Sequence, residues 1–213
     1  MSLVLIEGNI SAAKSTICSG LKGVRFPEPL EKENPWLSLF YKDQKENATY
    51  MQLYTLFYRY KQWKLAQSMD ALNPKELYLL DRSLYFDHCF AKVNHNLGNI
   101  SDEQMNLYQM AHSILQEQIY FPDLCIWLRV RPEICLERLR IRARGCEVGV
   151  TLDYLQAIEE TYCEAMKTMA RKCLVVEIDG EQDRESVLND CRKAIEERII
   201  EQDHIWPKWK GGI

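Results

Sequence analysis

Apolar residues along the chain fall into short continuous runs, separated by longer segments of mixed character. Five runs have the length and composition of buried β-strands: Leu3–Glu7, Gly23–Phe26, Leu77–Leu80, Leu124–Leu128 and Cys173–Ile178. All except the weakly apolar second run are continuous rather than alternating, which is typical of a parallel sheet covered on both faces. The pattern therefore predicts a five-stranded parallel sheet flanked by helices.

Helical signals fill the segments between these runs. The sequence predicts helices over Ala48–Met69, Ser101–Ile119 (with a Ser101/Gln104 capping box), Pro132–Arg142 and Thr151–Met169, and a last one that starts at Asp183. Strands that alternate with helices indicate an α/β fold, whose ligands bind beyond the carboxyl ends of the strands. No repeat or linker divides the sequence, so we expect a single domain over residues 1–213.

Composition narrows the class of protein. The 213 residues are 46% hydrophobic and 27% charged, values that exclude disordered and coiled-coil proteins. A net charge of −4 argues against binding to a nucleic acid polymer. The longest aliphatic run is Leu3–Ile6 and the first residues lack a secretory signal, so we expect no membrane association and a cytoplasmic location. Eight cysteines without a C-x-x-C pair are typical of free thiols in a reducing compartment.

A phosphate-binding loop follows the first predicted strand. Its sequence, G-N-I-S-A-A-K-S-T, matches the P-loop pattern G-x-x-x-x-G-K-[ST] at Gly8, Lys14 and Ser15 but has Ala13 where the pattern has glycine. In such a loop the lysine reaches the β- and γ-phosphates and the hydroxyl of Ser15 holds Mg²⁺. If position 13 requires a positive φ, the alanine costs about 1–2 kcal/mol, which weakens nucleotide binding without abolishing it.

Acidic residues follow the second and third predicted strands. Glu28 lies between two prolines that favour an extended conformation, and Asp81 precedes Arg82. An acid at a strand end opposite a P-loop commonly serves Mg²⁺, and an adjacent arginine stabilises negative charge. An exposed loop acid at 28 and a local ion pair at 81–82 are the structural alternatives.

An arginine-rich segment follows the fourth predicted strand. Six arginines and two glutamates between 129 and 144 give a local charge of +4. Arg138 and Arg142 share a helix face, and Gly145 follows them. This segment is interpreted as a lid that closes over phosphates; a solvated basic face and a nucleic-acid patch are the alternatives.

Together these motifs resemble the deoxynucleoside kinase family. The resemblance runs from Leu3 to about Asp183 and rests on I-E-G-N-I-S-x-x-K-S-T, P-E-P-L-E-K, D-R-S-L-Y, R-L-R-I-R-A-R and T-L-D-Y-L. It implies a P-loop kinase fold with an Arg-rich lid at about 138–150, and phosphorylation of a deoxynucleoside 5′-hydroxyl by ATP with Mg²⁺ in nucleotide salvage. The residues it assigns to ATP are Gly8, Asn9, Ile10, Ser11, Ala12, Ala13, Lys14, Ser15, Thr16, Arg138, Arg142, Arg144 and Asp183.

The resemblance also implies the catalytic groups. These are Lys14, Glu28, Asp81 and Arg82, with Ser15 and Asp81 at Mg²⁺. Either Glu28 or Asp81 is the general base, and the sequence leaves that choice open.

The acceptor contacts carry over by spacing. Tyr41 and Gln52, eleven residues apart, match the sugar-binding tyrosine and base-reading glutamine of the family, and Glu147 matches the acid that binds the 3′-hydroxyl. Glu28 and Arg82 also contact the substrate in this assignment. Arg59 and Asp87 match a pair found in the deoxycytidine and purine branch, so we expect these bases to be preferred to thymine.

Two other functions remain open at this point. A thymidylate-type nucleoside monophosphate kinase shares the P-loop and the acid-arginine dipeptide, and a nucleotide-binding protein with a loop disabled at Ala13 is not an enzyme. The resemblance further implies a homodimer.

Overall fold

Five parallel strands form one sheet in the order β2-β3-β1-β4-β5. The computed structural model describes residues 3–28, 35–142 and 149–205, without the side chains beyond residue 200. The strands are β1 (Leu3–Glu7), β2 (Val24–Phe26), β3 (Tyr78–Asp81), β4 (Leu124–Arg129) and β5 (Leu174–Asp179). The predicted five-stranded parallel sheet is confirmed.

The prediction that the sheet is covered on both faces is confirmed for the central strands and wrong for the edge strands. Every residue of β1 and β3 is buried, whereas Leu174 of β5 is 39% exposed and only Ile178 of that strand is buried. An edge strand has a neighbour on one side only, so a continuous apolar run there does not imply cover on both faces.

Eight helices among the described residues connect and flank the strands. They are α1 (Lys14–Gly20), α2 (Pro35–Lys42), α3 (Gln44–Leu72), α4 (Asp87–Asn96), α5 (Asp102–Gln116), α6 (Pro132–Arg142), α7 (Leu152–Met169) and α8 (Arg184–Ile205). The Ser101/Gln104 capping box is present, as predicted. α3 begins earlier than predicted because the Asp43 side chain accepts a hydrogen bond from the Glu46 N–H and caps the helix there.

Two hydrophobic layers sandwich the sheet. Alternate residues of β1 point to opposite sides: Leu3 and Leu5 pack into the larger cluster beneath α3–α7, and Val4 and Ile6 into the smaller one beneath α1 and α8. β1 and β3 run parallel, with Ile6 paired to Asp81, so their carboxyl ends open at the same edge of the sheet. That edge carries the P-loop and the acidic residues singled out by sequence.

Cysteines and helices can be compared with the composition within the described residues. The seven cysteines described are all free. None of the helices in the described ranges combines the length and apolar character that crossing a membrane requires. The C-terminal tryptophans, Trp206 and Trp209, lie outside the described residues.

Candidate active site

The P-loop turns sharply between β1 and α1 and is tied to α7. Gly8 has a φ of 152°, and a Cβ there would lie 2.6 Å from the Leu128 carbonyl oxygen, so only glycine fits. The Asn9 side chain donates to the Leu155 carbonyl at 2.9 Å and accepts from the Ile10 N–H at 2.8 Å. Lys14 Nζ donates to the Asn9 carbonyl at 2.6 Å. The loop is therefore held in a fixed shape, with its lysine directed back along it.

Ala13 has the left-handed conformation that the P-loop glycine would adopt. Its φ is 67° and its ψ is 14°. Position 13 thus requires the positive φ considered in the sequence analysis, and the Cβ of alanine costs about 1–2 kcal/mol there. Ser11, with a φ of 61°, lies in the same region, and its buried hydroxyl makes no hydrogen bond to any described residue. The loop keeps its shape despite the departure from the pattern.

Asp81 and Ser15 meet at the carboxyl end of β3. Ser15 Oγ donates to Asp81 Oδ2 at 2.5 Å, whereas Oδ1 is buried and has no hydrogen-bond partner within the described ranges. Burial raises the pKa of this carboxyl most, and the negative charge of Glu28 raises it further. The positive charge of Lys14 lowers it but does not cancel the rise. A hydroxyl and a carboxylate with an unsatisfied oxygen suit Mg²⁺, which takes few protein ligands and completes its shell with water and phosphate oxygens.

Glu28 lies between two arginines. Arg59 Nη2 donates to its Oε1 at 2.7 Å, and Arg82 Nε lies 2.8 Å from the same oxygen. Burial alone would raise the pKa of Glu28, but the charges of Arg82 and Arg59 outweigh it and lower the pKa to about 2. Glu28 is therefore a carboxylate at any working pH, and no described residue donates to its Oε2.

A cleft of about 260 Å³ joins the P-loop to the acidic and arginine groups. The predicted residues that line it are Ile10, Ser11, Ala13, Lys14, Ser15, Thr16, Glu28, Tyr41, Gln52, Arg59, Arg82 and Arg142. Gln52 comes from α3 and is 5% exposed, and its Oε1 has no hydrogen-bond partner among the described residues. The cleft therefore has an apolar wall, contributed in part by Phe40, Met51 and Phe90, and a few convergent polar groups.

The family is shown by sequence comparison. A sequence model of the family described as "Deoxynucleoside kinase" matches residues 4–202. The chain belongs to the deoxynucleoside kinase family. It is thus a transferase, a kinase that acts on nucleosides, and the resemblance drawn from its motifs is confirmed.

The individual proteins to which the chain is similar are also named as kinases of deoxynucleosides. The chain is 32% identical to a deoxyguanosine kinase of Dictyostelium discoideum over 195 residues, which cover 88% of this chain and 68% of the relative. It is 34% identical over 191 residues to a probable deoxycytidine kinase of fowlpox virus, covering 84% and 79% of the two chains. A solved structure of deoxyadenosine kinase from M. mycoides with bound dCTP matches with a TM-score of 0.79 and 27% identity. The match covers 92% of this chain and 99% of that one.

Arg82 connects the P-loop of this deoxynucleoside kinase to Glu28. It has a φ of 69°, and its Nη1 donates to the Gly8 carbonyl at 3.0 Å and to the Tyr162 hydroxyl at 2.7 Å. Its guanidinium carbon lies 4.9 Å from the centre of the Phe90 ring. These contacts leave Arg82 little freedom of orientation.

The sequence did not single out the group behind Arg82. Glu7, the last residue of β1, is fully buried and accepts hydrogen bonds from Ser83 Oγ and the Tyr162 hydroxyl, each at 3.0 Å. Burial raises its pKa to about 7 against the opposing charge of Arg82. A charged residue ending an otherwise apolar strand was the signal available in the sequence.

Seven of the predicted residues that the structure describes do not line the cleft: Gly8, Asn9, Ala12, Asp81, Asp87, Arg138 and Asp183. Arg138 of α6 donates to the Gly180 carbonyl at 2.9 Å, and its Nη1 is buried without a described partner. Asp183 caps α8 by accepting from the Glu185 and Ser186 N–H groups. Asp87 lies behind Arg59, to which it is hydrogen-bonded. Arg144 and Glu147 lie outside the described residues.

Proposed function

We propose that this deoxynucleoside kinase transfers the γ-phosphoryl group of ATP, as its Mg²⁺ complex, to the 5′-hydroxyl of a deoxynucleoside in nucleotide salvage. One observation carries the proposal: Glu28 is paired both with Arg82, which is tied to the P-loop, and with Arg59, which lies on α3 together with Gln52. Glu28 thus stands where a phosphate donor and a hydroxyl acceptor in the same cleft would meet.

The donor phosphates lie, in this proposal, against Lys14 and Arg82. Both cations are buried, and in a cleft of low dielectric constant their charges stabilise the transferring phosphoryl group more strongly than they would in water. The lid at about 138–150, with Arg138, Arg142 and Arg144, would add cations from the other side. Asp183, close in sequence to the Gly180 turn that Arg138 contacts, would border the nucleotide.

Ser15 and Asp81 would hold Mg²⁺. The unsatisfied Oδ1 of Asp81 supports this assignment, and no cluster of three or more His, Cys, Asp or Glu competes with it among the residues described. Bound Mg²⁺ neutralises the phosphate charge. When the metal binds, the Ser15–Asp81 hydrogen bond would have to rearrange, because both oxygens would face the ion.

Glu28 is our choice for the general base. It lines the cleft with Oε2 unoccupied by any described donor, whereas Asp81 is bonded to Ser15 and does not line the cleft. A carboxylate with a pKa of about 2 is a weak base, but a loose transition state needs the hydroxyl proton only late. Its main role is to accept the 5′-hydroxyl hydrogen bond and orient the oxygen.

The base would be read by Gln52, with Arg59 and Asp87 next to it. The unsatisfied Oε1 of Gln52 supports this role, since an amide offers both donors and an acceptor to a base edge. Tyr41 and Glu147 would hold the deoxyribose. Cytosine and the purines are preferred to thymine in this proposal because Arg59 and Asp87 are both present.

A monophosphate acceptor fits this cleft less well. Its phosphate would meet the carboxylate of Glu28, and Arg59 and Arg82 are already paired with that carboxylate. This argues against the thymidylate-type alternative.

We further propose that residues 1–213 form one domain, that two copies form a homodimer, and that the enzyme works in the cytoplasm, where free thiols are typical.

Restoring the P-loop glycine tests the proposal together with the effect of position 13. We expect both the wild type and Ala13→Gly to phosphorylate deoxycytidine in a single turnover with Mg-ATP. Because the folded loop already holds position 13 in the left-handed conformation, the gain of about 1–2 kcal/mol from glycine should appear in the free energy of unfolding, measured by chemical denaturation, with ATP affinity little changed. Quenched-flow product formation and ATP titration are the measurements. Ala12→Gly is the matched control and should bring no gain. Two inert proteins that still bind deoxynucleoside would contradict the proposed kinase reaction.

A further inference from the structure

We propose that Tyr108 is a positioning residue for base selection, acting through Asp87 on Arg59. Tyr108 belongs to α5 and does not line the cleft. The inference rests on the proposed function, because it takes Arg59 and Asp87 to be the pair that selects the base.

Asp87 is a fully buried carboxylate with both oxygens engaged. Its Oδ1 accepts from Arg59 Nη1, and its Oδ2 accepts from the Tyr108 hydroxyl at 2.6 Å. A buried carboxylate needs such partners, since an unsatisfied oxygen in the protein interior is costly. Tyr108 is 1% exposed, and its hydroxyl is the described group that satisfies Oδ2.

The Tyr108 hydroxyl determines how Asp87 binds Arg59. With Oδ2 engaged, Asp87 offers Arg59 one oxygen instead of the two-oxygen fork that carboxylates commonly present to guanidinium groups. The second terminal nitrogen of Arg59 therefore bonds to Glu28, and its Nε is buried without a partner among the described residues. Arg59 is held with its planar group spread between two carboxylates.

Removal of the Tyr108 hydroxyl would release this arrangement. Asp87 would be free to rotate and present both oxygens to Arg59, which would draw the guanidinium toward α4 and away from Glu28. Burial and the nearby charge of Asp87 raise the pKa of Tyr108, so its hydroxyl stays protonated and acts as a donor at any assay pH. The side chain itself never reaches the cleft, so its effect on the substrate is indirect.

The test is Tyr108→Phe, which removes one oxygen and keeps the ring. The ratio of kcat/KM for deoxycytidine to that for thymidine should fall about tenfold, mainly through a higher KM for deoxycytidine. Any loss of kcat that follows from the weaker Arg59–Glu28 pair should be the same with both nucleosides and leave this ratio untouched. Tyr78→Phe is the matched control: Tyr78 is equally buried, and its hydroxyl bonds to the Met69 and Asn73 carbonyls. It should leave the ratio unchanged. If Tyr108→Phe does not fold, Tyr108→Met provides a flexible apolar side chain without a donor and should give the same fall.

A double variant, Arg59→Leu with Asp87→Ala, separates the two levels of the proposal. It should shift preference toward thymidine. If it does and a folded Tyr108 variant does not change the ratio, or loses equal activity with both nucleosides, the role of Tyr108 is refuted alone. If the double variant leaves the ratio unchanged, the base-reading role proposed for Arg59 and Asp87 is wrong, and the inference falls with it.

Discussion

Replacing Lys14 with alanine is expected to lower kcat for nucleoside phosphorylation by about 10²- to 10³-fold, the usual effect of removing one preorganised stabilising group. Lys14 is 5% exposed and its Nζ is already directed along the P-loop by the Asn9 carbonyl. Its charge is therefore in place before the phosphoryl group moves and needs little reorganisation. Because the γ-phosphoryl charge is redistributed during transfer, the effect should fall more on kcat than on the KM for ATP.

The pH dependence of the wild type adds a check on this lysine. Burial and the charge of Arg82 lower the pKa of Lys14 to about 8. Below that pH the amine is charged, so titration of this group should not change the affinity of the free enzyme for ATP. The affinity should decline as the pH rises through 8.

The matched control for Lys14→Ala is Lys22→Ala, since Lys22 is exposed and follows α1. A Lys14→Ala enzyme with undiminished kcat would refute the assignment of the P-loop.

Replacing Glu28 with glutamine is expected to lower kcat by about 10²- to 10⁴-fold, the range associated with general acid–base groups. The amide has the same size but cannot take a proton, and it pairs weakly with Arg59 and Arg82, which both approach Oε1. Because the pKa of Glu28 is about 2, the wild-type kcat should show no loss from protonation of this group between pH 5 and 7. Steady-state kinetics with deoxycytidine and Mg-ATP across that range provide the measurement.

The comparison variant for Glu28→Gln is Asp81→Asn. Asp81 accepts from Ser15 and keeps one buried oxygen unsatisfied, so its replacement should raise the Mg²⁺ concentration needed for half-maximal rate. A variant pair in which Glu28→Gln retains kcat and Asp81→Asn loses it at saturating Mg²⁺ would transfer the general-base role to Asp81. That outcome would decide between the two carboxylates that the sequence left open.

Features encoded within a short stretch could be predicted from sequence. The strands β1, β3 and β4 are almost wholly buried, and their sequences are correspondingly continuous apolar runs that can be recognised without the structure. The P-loop is likewise a local motif. The run that forms β5 is equally apolar, but only Ile178 of this strand is buried, since cover depends on what packs above a strand. The helices α2 and α4 were not predicted; α4 is rich in histidine and asparagine and gains its stability from packing against α7 and α3.

The convergence of side chains could not be predicted in the same way. Arg59, Arg82 and Glu28 meet because three different elements bring them to one edge of the sheet, and only the family resemblance linked them in advance. Glu7 and Tyr108 were missed for a related reason. Each lies in an otherwise ordinary strand or helix, and its partners are more than twenty residues away along the chain.

The most direct test of the whole account is a substrate panel with Mg-ATP. Four deoxynucleosides and their 5′-monophosphates are supplied separately, and the products are identified by mass and by the position of the new phosphate. The account predicts 5′-monophosphates from deoxycytidine and the purine deoxynucleosides, a lower kcat/KM with thymidine, and no comparable turnover of the monophosphates. Faster phosphorylation of the monophosphates than of the deoxynucleosides would contradict it.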